Sequence, residues 1–201
     1  MSGMLATIER AQSDLEPYVE RLIRCLRAGI TKFQADHGGM LYKIQLGTQA
    51  GLVRDYIVEE IKQEFDGEPG VSHRTFRNLF LLNIQNRYFL RFKKLDRRLR
   101  TRNVPTQLSL DFLLQQPLSL PGMPDPATHL NVGYQPGLTI STSTLWITCP
   151  DGNTLEWKWE ITEATEPIQF PGVSHDASTR TRVRPRVIPE RKEASAADDG
   201  A

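Results

Sequence analysis

The sequence predicts an α+β fold, with N-terminal helices packed on an antiparallel sheet of about five strands and a disordered C-terminal tail. Three observations lead there. Apolar residues in the first third recur at three- and four-residue spacing, the period of a helix with one buried face. Between about residues 128 and 162 the pattern changes to alternation, the period of a half-buried strand. After about residue 165 large apolar residues become rare and prolines and charges dominate. The expected organisation is a helical segment at 1–66, an α+β core at 67–165 and a tail at 166–201.

The first helix is expected over about residues 4–35, where Leu5, Ile8, Leu15, Val19, Leu22, Ile23, Leu26 and Ile30 form one stripe. Pro17 interrupts the stripe after "SDLE" and suits the first turn of a second helix, where its missing N–H costs nothing. "DHGG" at 36–39 breaks the pattern. A further helix is expected from Thr48 to Phe65, with Leu52, Tyr56, Ile57, Ile61 and Phe65 on its apolar face, ending at "DGEPG". In "NLFLLNI–QN–RYFLRFKKL", two apolar runs flank a two-residue polar break, a hairpin signal that lacks the usual glycine. Tyr88, Leu90 and Phe92 alternate with Arg87, Phe89, Arg91 and Lys93, although a helix would also place Tyr88, Phe92 and Leu95 together. "DRRLRTRN" is then expected to leave the sheet as a helical turn capped by Asp96. "PTQLSLDFLLQQP" reads as a short helix that turns Leu108, Phe112 and Leu113 inward and stops at Pro117. "THLNVGYQ" and the hairpin "STLWITC–PDGN–TLEWKWEI" complete the sheet. In the last strand Leu155, Trp157, Trp159 and Ile161 face one way and Glu156, Lys158, Glu160 and Thr162 the other, so a sheet covered on one side is expected.

Composition narrows the chemistry. The 201 residues carry a net charge of +1, so any attraction for polyanions must be local. Cys25 and Cys149 form no metal-binding or redox spacing and read as two buried free thiols in a reducing compartment. No apolar run approaches the ~20 residues of a membrane span, and a soluble cytoplasmic protein is expected. Phosphate-loop, dinucleotide, zinc-protease and nucleophile-elbow motifs do not occur. His37, His73, His129 and His175 are scattered and read as surface or turn residues. The pentapeptide "PGVSH" appears at 69–73 and 171–175, but neighbouring Ser and His on a strand point to opposite faces and cannot converge for catalysis. Glu59 and Glu60 diverge on a helix, and Lys158 separates Glu156 from Glu160. A non-enzymatic protein without cofactor or metal is expected.

The conspicuous feature is "NRYFLRFKKLDRRLRTRN". From Arg87 to Arg102 it holds eight basic residues against the single acid Asp96. Two uses suit it. Arg97, Arg98, Arg100 and Arg102 could pair with an acidic surface of a protein partner, joined by Arg182, Arg184 and Arg186 of the tail, where "STRTRVRPRVIPE" could add as a strand to another protein. Alternatively, Arg87, Arg91, Lys93 and Lys94 could hold phosphates while Phe89 stacks on a base. A pocket near Trp146, Trp157 and Trp159 is a third possibility, although tryptophans at that spacing more often serve a core.

With these pieces in order, "FLRFKKLDRRLR", "PTQ" with its following "FL" and "Q", "LPGMP", "VGYQ" and "TCPDGNTLEW" resemble a group of small bacterial proteins encoded beside helix-turn-helix/zinc-metallopeptidase proteins. The resemblance covers about residues 70–162. It implies an antitoxin-like or regulatory protein that binds and neutralises or tunes a partner in a toxin–antitoxin or mobile-element defence system, the partner being the metallopeptidase protein or a toxin. It carries no site residues.

Overall fold

The computed structural model describes residues 5–102, 105–118 and 127–163. The tail, with Arg182, Arg184, Arg186 and the second "PGVSH", lies outside the described residues. Helix α1 (Ile8–His37) and helix α2 (Leu46–Glu64) are joined by a short 3-10 turn at Gly38–Lys43. Six strands follow: β1 (Val71–Phe76), β2 (Leu79–Ile84), β3 (Tyr88–Lys94), β4 (Thr128–Gln135), β5 (Thr144–Asp151) and β6 (Thr154–Ile161). The short helix α3 (Gln107–Leu113) lies between β3 and β4. The α+β class stands, and the N-terminal helices share one hydrophobic core with the sheet.

Helix α1 starts at Thr7, whose side chain accepts from the Arg10 N–H, and it runs unbroken through Pro17. The expected helix start at Pro17 is therefore corrected. Pro17 sits on the exposed side, where water can take the carbonyl the ring leaves free. The buried stripe of Leu15, Tyr18, Leu22 and Leu26 holds both sides of it in one line. At the crossing with α2, a Cβ on Gly29 would lie 2.7 Å from the Ile57 Cα, so only glycine allows this approach.

The strands run in the order β1-β2-β3-β4-β5-β6. All neighbours are antiparallel except β3 and β4, which are parallel in a register that sets Arg91 beside Asn131 and Lys93 beside Gly133. The sheet is thus two three-stranded antiparallel units joined along one parallel pair. Two features depart from the expected five-stranded antiparallel sheet: the additional strand β1, and this parallel pair. The β2–β3 hairpin turns at Gln85 and Asn86, with φ of 53° and 54°, and the β1–β2 hairpin at Arg77 and Asn78, with φ of 45° and 65°. Both have the left-handed pair of residues that matches strand twist, built without glycine.

One sheet face is dry. Leu82, Tyr88, Leu90, Phe92, Leu130, Val132, Tyr134 and Ile147 pack there against α1 and α2. The other face was expected to be wet. At the β6 edge it is, with Glu156, Lys158 and Glu160 exposed. Over the centre it is not: Leu79, Leu81, Phe89, Phe112 and Leu118 form a second cluster beneath α3. His129, expected at a surface, is 2% exposed. Its ring lies between Phe89, at 5.7 Å, and Phe112, at 4.9 Å, nearly parallel to both. Both cysteines are buried free thiols. Burial pushes the Cys25 thiol up to about 11 and the Cys149 thiol up to about 12.

Gln115 closes a gap in the sheet. Pro150 has no N–H to offer the neighbouring strand, and a register irregularity falls between Cys149 and Pro150. The Gln115 amide donates to the carbonyls of His129, at 2.9 Å, and Pro150, at 2.8 Å. Its oxygen accepts from the His129 N–H at 2.8 Å.

Candidate basic groove

The basic run divides in space. Arg87 stands at the start of β3 and donates to Asp14 of α1 at 3.1 Å. Asp14 also accepts from Tyr88 and Arg10. Burial acts most strongly on Asp14 and pulls its carboxyl upward, but these three hydrogen bonds together hold it below the usual range. Arg87 is committed to this cluster. Phe89, the expected stacking surface, is 2% exposed. It lies on the face covered by α3, and no base can reach it there. The strand pattern identified its face correctly, but the cover comes from a helix twenty residues further on.

The remaining cations gather at the other end of β3. Beyond Lys94 the chain makes a tight loop, where the expectation was a helical turn. The Asp96 carboxylate accepts from the N–H groups of Arg98, at 2.8 Å, and Arg100, at 3.0 Å. Asp96 does act as the cap. Leu95 and Leu99 point inward and are buried, and Leu99 takes a left-handed φ of 60° to do so. With both leucines inward, Arg97, Arg98 and Arg102 are left exposed. Arg100 turns back, 3.5 Å from Asp96, and reaches the Asn153 side chain at 3.3 Å.

This loop forms one wall of a groove of about 760 Å³; the first turns of α2 form the other. Arg97, Arg98, Arg100 and Arg102 line it together with Lys93, Lys94 and Arg54. Asp96 is the one acid among the described residues of the lining, and its carboxylate is already engaged by its own loop. The structure therefore brings the four arginines of the partner set beside two lysines of the phosphate set. On the α2 side the groove meets Leu46, Gly47, Ala50 and Gly51, and Leu46 is 71% exposed. Gln45, at the start of α2, makes no side-chain cap, and the first turn carries no acid. The free N–H groups of that turn add positive potential to the groove. Leu46, Arg54 and the uncapped start of α2 lay beyond the sequence reading. The missing N-cap residue was the available signal.

Arg91 points to the α3 side, with its guanidinium carbon 5.4 Å from the centre of the Phe112 ring. It is 7% exposed, and its Nε and Nη1 have no hydrogen-bond partner among the described residues. Burial, and then the nearby Arg54, pull its pKa down to about 10. Lys93 is lowered to about 8, first by burial and then by Arg91 and Arg54. Strands β2 and β3 pair only from Leu82–Ile84 to Tyr88–Leu90. Past Leu90 they part, and a cavity of about 10 Å³ opens between them, bounded by Arg54, Arg91 and Lys93. That is room for one water.

Trp157 and Trp159 pack partly against the main core, and Trp146 lies on the opposite face with its indole N–H on Thr144. The three do not enclose a common site. Of the first "PGVSH", Ser72 accepts from Asn83 while His73 stacks toward Phe80, so the two side chains diverge. Among the described residues no group of His, Cys, Asp and Glu could hold a metal ion, and no helix is long and apolar enough to cross a membrane. Comparison with known proteins gives no match to a family model, a curated protein or a solved structure.

Proposed function

We propose that this chain is a non-enzymatic cytoplasmic interaction protein whose groove docks an acidic, partly apolar segment of a protein partner. The observation that carries this reading is the lining itself. Among the described residues seven cations line the groove against one internally engaged acid, and Leu46, Ala50 and Pro136 supply apolar surface between them. Such a surface suits a segment with carboxylates on one side and apolar residues on the other. The resemblance noted above adds the role of antitoxin or regulator, with the partner encoded nearby. Arg182, Arg184 and Arg186 belong to the same proposal as a second contact.

The test is a tagged pull-down from the native host, read by mass spectrometry and by ultraviolet absorbance with and without nuclease. A stoichiometric protein that persists in moderate salt and is lost when Arg97, Arg98 and Arg102 become alanine supports the docking reading. Deleting 167–201 tests the tail, and unchanged capture removes it from the proposal. A second reading has its own observation: an uncapped helix start facing arginines also suits nucleic-acid phosphates. Nuclease-sensitive material without a protein would favour it. Its affinity would fall by about one log unit per log unit of salt for each phosphate contacted.

A further inference from the structure

We infer that Arg91, Lys93 and Arg54 form the floor of a binding site for a phosphate-class dianion, free or carried on a small molecule. The three side chains bound one cavity where β2 and β3 part company beneath α2. Arg91 is more than nine-tenths buried, and its Nε and Nη1 are without hydrogen-bond partners among the described residues. Both are charged donors from which the oxygens of an oxyanion accept. The charges acting on Arg91 and Lys93 come from other cations and not from acids. Arg54 does have an acid, its sequence neighbour Asp55, at 2.6 Å.

This arrangement is costly unless something negative enters it. A buried cation without a counter-ion is disfavoured, and here a second and a third stand beside it. A carboxylate would supply one charge in one plane. A phosphate dianion supplies two charges and directs its oxygens toward β3 and α2 at once. Arg54 and Lys93 also line the outer groove. They are the partition between groove and cavity, and neither is fully buried. If they swing outward, the two spaces become one and the Arg91 guanidinium is reached. The site shares Arg54 and Lys93 with the docking groove, but binding of the dianion does not require a protein partner.

The experiment titrates the full-length protein with inorganic phosphate, methyl phosphate and acetate at constant ionic strength, chloride making up the balance. Thermal melting and calorimetry are the readouts. The expected result is saturable binding of phosphate or methyl phosphate, with acetate at least tenfold weaker. A stronger response to methyl phosphate assigns an esterified ligand, and an equal response assigns the oxyanion alone. Arg91→Met keeps the bulk of the side chain and removes its charge. It is expected to melt no lower than the wild type and to lose the phosphate response. Lys93→Met gives the same test if Arg91→Met fails to fold. A phosphate response that survives both substitutions, or one matched by acetate, overturns the inference. So does the absence of any response in a wild-type protein that captures its partner, which leaves the docking reading standing. A phosphate response with no partner captured overturns the docking reading alone.

Discussion

Gln115 and Gly133 each hold a position that no other residue type fills equally well, and Lys93 holds one where its charge is costly. The Gln115 amide serves both the N–H and the C=O of His129 as well as the Pro150 carbonyl. Gln115→Leu leaves these buried groups unpaired, and a loss of about 3 kcal/mol is expected in denaturant unfolding. At Gly133 an added Cβ would meet the Lys93 carbonyl oxygen at 2.1 Å, closer than atoms can approach. Gly133→Ala is expected to cost at least ~3 kcal/mol, because the backbone of two paired strands must give way. Lys93 makes a prediction in pH. Its folded pKa of about 8 lies below the ordinary 10.5, so between those values the unfolded chain binds more protons. The penalty of holding a charged Lys93 is fully present below about pH 8 and fades as pH rises toward 10.5. Its contribution to stability therefore rises over that window, and Lys93→Met should flatten the rise seen in unfolding midpoints.

At the scale of elements, the crossing of α1 and α2 depends on Gly29. Alanine would ordinarily strengthen a helix by about 1 kcal/mol over glycine. Here Gly29→Ala drives a methyl into the Ile57 backbone, and a net loss of about 2 kcal/mol is expected in chemical denaturation. The helices and the last five strands were legible because their apolar spacing is strong. Strand β1 was not. Only Val71 and Phe76 of its six residues are other than exposed, so it carries no alternation, and Arg77-Asn78 lacks the glycine that flags a hairpin. The parallel pairing of β3 and β4 leaves no trace in local spacing. Nor does the cover over Phe89, His129 and Arg91, which depends on where α3 returns to the sheet. The arginines of 97–102 were visible as a cluster. Their orientation was not, because it follows from Leu95 and Leu99 turning inward and from Asp96 binding its own loop. Pro17 misled for a simple reason: one exposed missing hydrogen bond weighs little against a continuous buried stripe.

At the scale of the molecule, charge is distributed unevenly although the net is only +1. Acids of the helices are largely neutralised at home: Glu64 accepts from Arg21 and Arg24, Glu60 from Lys32, and Asp14 from Arg10 and Arg87. The surplus positive charge is left at the groove, so a local field survives in a nearly neutral protein. Association with an acidic partner should accordingly slow as salt rises, while dissociation changes less, a split that stopped-flow measurement can resolve. The parallel pair of β3 and β4 also sets the order of assembly. Each three-stranded half closes between neighbours in sequence through connections of no more than eight residues. The seam between them requires ends to meet across more than thirty residues, a loop whose closure costs entropy before any contact repays it. The two halves are therefore expected to form first and the seam last. Mutations at the seam, such as Leu130→Ala on the stretch of β4 that pairs with β3 and not with β5, should slow folding less than they hasten unfolding, so the lifetime of the native state is set at this one line of hydrogen bonds.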